Sequence, residues 1–213
     1  MNRSATLKRS ALVIRFIAIS AAVSLLSPSL TAASITNNEI ATYSAQYSAN
    51  YNGLAIKAHH QLRQLEDGSY IEILNAKSIL GKIKESAKFI IDDHQKILPY
   101  QYNYKRSLVG ISRVESQVFD WPKKQLKYTK NDKIQVVALE PGALDIVTHK
   151  LQLRHDLQEG KTILSYPVMA RDKRKQYDYE VVASEILNTE IGPLNTTKIR
   201  RISNSNTRET VIW

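Results

Sequence analysis

From Tyr43 onward the chain is written in short runs of alternating apolar and polar residues, interrupted by a turn signal roughly every ten to twelve residues. A period of two places every second side chain on the same face of a strand, so this grammar commits the polypeptide to an antiparallel meander. It is clearest at Asn52-Gly53, a dipeptide that supplies the two positive φ values of a type I′ hairpin turn. After it, Leu54, Ile56, Ala58 and Leu62 fall on one parity and Lys57 and Arg63 on the other. Before it, Tyr43, Tyr47 and Tyr51 share one parity, which makes them a one-sided row on the partner strand. The pattern then repeats in "YIEILNAKSIL", "KIKESAKFII", "ILPYQYNYKRSL", "ISRVESQVFDW", "QLKYTKN" and "IQVVAL". In the third of these, Tyr100, Tyr102 and Tyr104 form a second one-sided row.

One segment departs from the pattern. "PGALDIVTHKLQLRHDLQEG" has Leu144, Val147, Leu151 and Leu157 near helical spacing, opens after Pro141-Gly142 and stops at Gly160. The expectation is a helix over Ala143–Gln158. Strands resume in "KTILSYPVMA", "QYDYEVVASEIL", "LNTTKIRRIS" and "TRETVIW". About ten strands in series twist and curl rather than stay flat. The predicted fold is therefore mainly β: a strongly curved antiparallel meander, a half-barrel or open barrel, with one covering α-helix.

The N-terminus has a different character. Arg3, Lys8, Arg9 and Arg15 precede an uncharged apolar run from Phe16 to Leu26, which Pro28 breaks before the small residues of "TAAS". That layout is a secretory signal peptide, and the run is shorter than the ~20 residues a bilayer span requires. Cleavage is expected after Ala33, with Ser34 as the second choice, leaving residues 34–213 as a single β-rich domain behind a signal peptide of residues 1–33. Residues 34–40 read as a loose lead-in. The formal charge drops from +10 to +6 with the leader, which holds four of the cations and no acid. A moderately basic exported domain favours anionic surfaces, and export argues against nucleic acid. The 213 residues include no cysteine, which excludes disulfides, thiolate metal sites, a cysteine nucleophile and a lipidated cysteine. With no second long apolar stretch, a soluble periplasmic protein without a transmembrane segment is expected.

The order of several short pieces resembles a bacterial secreted family, domain-of-unknown-function family 3108 of Gram-negative bacteria. The pieces are "YNGL" (Tyr51 to Leu54), "FDW" (Phe119 to Trp121), Asp145 with "LQLRHDL" (Leu151 to Leu157), "YDYEVV" (Tyr177 to Val182), "GPLNTTKIRR" (Gly192 to Arg201) and "RETVIW" (Arg208 to Trp213). The resemblance implies export, and no assigned activity or catalytic residue comes with it. It also suggests distant, fold-level kinship with the half-barrels of envelope lipoprotein carriers, which shelter acyl chains under a helical lid. Members of the family usually continue past the final Trp-containing strand into a Pro-containing one. Here the chain stops at Trp213, so the expectation is a last strand lacking a partner, or a fragment.

Candidate chemistry is sparse. His149 and His155 are six apart on the helix, His59 and His60 are neighbours on a strand and point to opposite faces, and His94 sits in a turn. None has metal-ligand spacing, and neither a metal nor a cofactor is expected. Asp145 and His149 are four apart on the predicted helix and form the one dyad available to a hydrolase, but no nucleophile motif accompanies them. The plainer reading puts Asp145 in the first helical turn, complementing the helix dipole. Arg171, Lys173, Arg174 and Lys175 cluster in "RDKRKQ" at a hairpin tip, either as a contact for anionic surfaces or as a solvated loop. The tyrosines Tyr43, Tyr47, Tyr51, Tyr100, Tyr102 and Tyr104 are candidates to line a ligand groove, with cross-strand packing as the competing explanation.

Two functions fit these features. The first is a non-catalytic periplasmic binding or carrier protein that holds an amphipathic envelope molecule, a lipid or a glycan, between the sheet and its helix. The second is a structural or assembly partner in a cell-envelope protein complex, docking through sheet edges or the basic hairpin. An enzyme is the weaker reading.

Overall fold

The computed structural model describes residues 40–51, 53–202 and 210–213. The predicted signal peptide, the predicted lead-in before Ile40, Asn52 of the first turn and the first residues of the last predicted strand lie outside the described residues. The described chain gathers into two compact units. Of the described residues, the larger holds 40–51, 53–162 and 166–176, and the smaller holds 163–165, 177–202 and 210–213.

The larger unit contains an eight-stranded meander: β1 (Tyr43–Tyr51), β2 (Leu54–Gln64), β3 (Tyr70–Ser78), β4 (Gly81–Ile91), β5 (Ile97–Leu108), β6 (Ile111–Asp120), β7 (Gln125–Lys130) and β8 (Lys133–Ala138). Neighbours in sequence are neighbours in space and every pair is antiparallel. The sheet is open and curved, with β1 and β8 as its edges. The predicted fold class therefore holds. A second sheet, in the order β12-β11-β10-β9, is built from β9 (Leu164–Ala170), β10 (Lys173–Thr189), β11 (Gly192–Ile202) and β12 (Val211–Ile212). The final strand has a partner after all, since Val211 and Ile212 pair with Arg200 and Ile199.

Alternation puts one residue from each of six strands in a straight buried row. Leu62, Glu72, Ala87, Tyr102, Gln117 and Tyr128 stand opposite one another across β2 to β7. Below this row the core is apolar. Phe89 stacks on Tyr70 with centroids 5.5 Å apart, and Phe119, Leu126, Leu139, Ala143 and Met169 form a second cluster. The opposite face of the same strands is wet: Val114, Val118 and Val136 are exposed there.

The helix α1 spans Thr148–Gln158, about three turns, and not the full Ala143–Gln158. Its expected first turn is taken by a different bond pattern. Leu144 forms a parallel bridge to Val168, donating its N–H to Pro167 O at 2.9 Å and accepting from Met169 N at 2.7 Å. Those bonds tie Leu144 to β9, and the helix begins only after Val147. Helical spacing of the leucines could not reveal this, because a single-bridge strand and a helix entrance carry the same apolar residues. Further on, Val147 packs against Ala87 and Tyr102, and the Gln152 carboxamide oxygen accepts the Ile97 N–H at 2.9 Å. These contacts seat α1 on the buried row.

Two local details bear on the predictions from sequence. Lys88 pairs with Gln101 but Phe89 pairs with Pro99, a bulge that leaves Tyr100 as the extra residue in β5. The three-tyrosine row of β5 is therefore broken, and Tyr100 is out of line with Tyr102 and Tyr104. The β5–β6 hairpin turns through Val109 and Gly110, at φ +47° and +78°. A β-branched residue in the left-handed region is strained, and Val109 is 73 % exposed, so no packing offsets the strain. Val109→Asn is expected to stabilise the protein by about 1 kcal/mol. Chemical denaturation measures this, and an unchanged or lower midpoint contradicts it.

Candidate functional site

The N-terminal tyrosine row and the helix meet at one place. Tyr43 and Tyr47 lie on β1, half-buried, on the same face as His60 in β2. The Tyr43 hydroxyl donates to Glu72 Oε1 at 3.1 Å, and the His60 Nε2 sits on the same oxygen. The His60 ring packs edge-on against Tyr43 at 5.2 Å and lies 6.4 Å from Tyr47. From α1, the Arg154 guanidinium covers the Tyr43 ring at 5.7 Å. Burial, and after it the negative charge of Glu72, push the Tyr43 phenol well above its usual range, and the same two causes raise Tyr47. Arg154 opposes both shifts. Both phenols are thus neutral donors at any physiological pH, not nucleophiles.

Arg154 also lines a cavity of about 490 Å³. Its other walls are Ile40 and Ala41 leading into β1, Gln95 from the β4–β5 turn, and Leu151, His155, Gln158 and Glu159 along one flank of α1. The lining mixes apolar side chains with a cation, an imidazole and amides. A volume in this range suits one small ligand.

A second polar region lies deeper, under the loop that leads into α1. Asp145 is fully buried. Its Oδ1 accepts the N–H of Val147 at 2.7 Å and of Thr148 at 2.8 Å, so it holds the helix entrance from outside the first turn. Its Oδ2 has no partner among the described residues. Burial pushes this carboxyl up to about 7, against the pull of the Thr148 and Val147 bonds. Glu72 Oε2 and Gln117 Oε1 are likewise buried without a partner. The Tyr102 hydroxyl donates to Glu85 at 2.6 Å, and Glu115 carries Arg113 and, at 3.7 Å, Arg171. The covered face of the sheet is thus a band of acids and their partners, in a position where a lipid carrier of purely apolar lining would place hydrocarbon.

The residues singled out from sequence separate accordingly. Tyr43 approaches the cavity through Arg154, and Tyr47 lies on the same strand face. Tyr51 pairs with Leu54 at the end of the first hairpin. Tyr102 is in the buried row, Tyr104 packs beside it, and Tyr100 bonds Ser69 Oγ at 3.0 Å. The two tyrosine rows therefore do not form one groove. The basic segment is the predicted hairpin tip, turning at Arg171 and Asp172, but two of its cations are occupied. Arg171 faces Glu115, and Arg174 pairs with Glu140 at 2.6 Å. Lys173 and Lys175 are exposed. The Asp145–His149 dyad does not form through the carboxylate: His149 Nδ1 faces the Asp145 backbone carbonyl at 3.1 Å, so that nitrogen is the donor. Among the described residues no three His, Asp or Glu side chains gather as a metal site, and no helix is long and apolar enough to cross a membrane.

Residues 46–213 match the family described as Protein of unknown function (DUF3108). The chain belongs to that family. No curated protein and no solved structure matches it. For this DUF3108 member most of the pieces of sequence that carry the resemblance fall on structural positions, whereas "LQLRHDL" supplies Leu151, Arg154 and His155 to the cavity wall. Gly53 is the positive-φ residue of the first hairpin, at φ +81°, Trp121 donates to Pro99 O at 2.8 Å, and Trp213 donates to Glu185 Oε2 at 2.8 Å. In the smaller unit Lys198 completes that last contact, bonding Glu185 Oε1 at 2.7 Å and lying over the Trp213 ring.

Sequence reasoning missed Glu72 and Arg154. Glu72 had a signal: it shares the parity of Tyr70 and Leu74, so an acid stands where the strand alternation calls for an apolar residue. Arg154 had none, because an arginine on an amphipathic helix is usually solvated.

Proposed function

We propose that this DUF3108 protein is exported to the periplasm, with its leader cleaved near Ala33, and acts there as a non-catalytic binding or carrier module. Its cargo is an amphipathic envelope molecule, a lipid or a glycan. The observation that carries the reading is the cavity flanking α1, whose lining pairs Leu151, Ile40 and Ala41 with Arg154, His155 and Gln158. An amphiphile needs both kinds of wall. The nearest phenols are held neutral and the Asp145–His149 carboxylate contact is missing, which supports binding over catalysis. Native mass spectrometry of protein purified without detergent from a periplasmic extract, then incubated with an envelope lipid extract, tests it. The expected result is a discrete adduct on a chain that begins at or just after Ser34. Protein that stays free of adduct after the incubation would overturn the carrier reading, and a chain retaining residues 1–33 would overturn the export reading.

The alternative, a structural or assembly partner in a cell-envelope complex, draws on β8. It is a sheet edge with Ile134 and Val136 both 57 % exposed. The basic hairpin is a weaker dock than its sequence suggests, since Arg171 and Arg174 already face acids.

A further inference from the structure

We infer that the ligand of the α1 cavity carries a single anionic head, a carboxylate or a phosphate monoester, which Arg154 binds. This rests on the carrier reading and narrows it to a chemical class.

Arg154 is half-buried in the cavity wall. Among the described residues it makes no ion pair; its recorded partner is the Tyr43 ring, on which the guanidinium rests at 5.7 Å. A ring contact orients the plane of a guanidinium and leaves its N–H donors unspent. The Tyr43 ring is itself fixed, because its hydroxyl is bonded to Glu72 and His60 lies against it. The fork is therefore pre-positioned by a chain of contacts running from β3 through β1 to the helix. Such a donor set matches the two oxygens of a carboxylate or phosphate.

The surroundings favour an anion on balance. His155 offers a second ring in the same wall, and Lys96, beside Gln95 in the chain, faces Asp156 at 4.0 Å and helps to offset that carboxylate. Against them stand Glu159, exposed at the rim, and the negative end of the helix dipole. That end is largely quenched by backbone donors. His155 O accepts from Glu159 N at 3.0 Å, Asp156 O from Lys161 N at 2.9 Å, and Leu157 O from Gly160 N at 3.1 Å. The nearby Asp156 carboxylate is bonded to Lys161, Gln152 and Tyr166 and faces none of its charge unpaired into the cavity. Leu151, Ile40 and Ala41 provide the apolar part of the lining.

Isothermal titration with four single-chain probes below their micellar concentrations separates the possibilities: laurate, dodecyl phosphate, dodecyl maltoside and dodecyltrimethylammonium. Laurate or dodecyl phosphate is expected to bind at least tenfold more tightly than the neutral and cationic probes. The tighter of the two identifies carboxylate or phosphate as the head. Arg154→Ala should remove that preference, weakening the anionic probe roughly 10- to 100-fold and leaving the neutral probe unchanged, with Arg154→Lys in between. Equal binding of all four probes, or an unaltered preference in Arg154→Ala, would overturn the anionic head and leave the carrier standing. Failure of every probe to bind would overturn the carrier reading and this inference with it.

Discussion

Asp145→Asn is expected to abolish a decline in stability that the wild-type protein shows between about pH 4 and pH 7. The Asp145 carboxyl is completely buried, and burial raises it from 3.8 to about 7. In that interval the folded protein holds a proton that the unfolded chain has released. Stability is therefore fully present below the unfolded value, falls as the pH rises, and levels off above the folded value. At about 1.4 kcal/mol per unit, the full effect is somewhat over 4 kcal/mol. Asparagine keeps an oxygen for the N–H groups of Val147 and Thr148 and cannot ionise, so its gain over wild type should grow by up to that amount from pH 4 to pH 8. Taking the difference between the two pH values cancels any constant cost of burying the new amide. Urea unfolding of both proteins at the two pH values decides it, and parallel profiles would show that Asp145 is ionised at no cost. A carboxylate kept with an unpartnered buried oxygen lowers stability. The stability gained by Asn is then a direct measure of what the native chain forgoes at this position.

The second large effect concerns Asp156, at the other end of α1. It is buried, and its two oxygens collect three side chains. Oδ1 takes Gln152 at 3.0 Å and Lys161, and Oδ2 takes the Tyr166 hydroxyl at 2.9 Å. Gln152 in turn holds the Ile97 N–H, so one carboxylate links α1, β5 and β9. Asp156→Ala is expected to cost about 3 kcal/mol, because it removes the acceptor from a buried, charge-assisted network. Asp156→Asn keeps an acceptor and should cost less than half as much. Burial works against the charged carboxyl here too, but the bonds from Lys161, Gln152 and Tyr166, with Lys96 nearby, together hold it below the usual carboxylate range. The sign is opposite to that of Asp145. Its stabilisation is present above the unfolded value and is lost as the pH falls through the lower, folded one. Between them the two carboxylates favour a stability maximum well on the acid side of neutrality, near pH 4, where Asp145 is still protonated and Asp156 is ionised. An alanine variant within about 0.5 kcal/mol of wild type would show that α1 is held by its apolar contacts alone.

The meander was legible in the sequence because each hairpin carries its own instruction. Gly53 and Gly110 sit at turn positions with positive φ, and the strands between turns alternate strictly enough that a one-residue slip would turn a whole face to water. The shared face of Tyr43 and Tyr47 on β1 was legible for the same reason. The row of β5 was misread because a bulge is invisible to parity: one extra residue, Tyr100, reverses the faces on either side of it. The cavity was not legible at all. It joins Ile40, Gln95 and Arg154, which are far apart in the chain and individually ordinary.

Local chemistry alone thus settled the series of strands and turns, which side chains share a face wherever the alternation is unbroken, and that one helix interrupts the series, since these depend on neighbours a few residues away. Which face the helix covers was decided only in the folded molecule. Leu144 bonding to Pro167 and Met169, and Gln152 bonding to Ile97, bring together segments separated by more than twenty residues, and no periodicity records such a pairing. The burial of Asp145 and the seating of Arg154 on Tyr43 follow from that placement, because the energy of a charge depends on what surrounds it and not on its position in the chain.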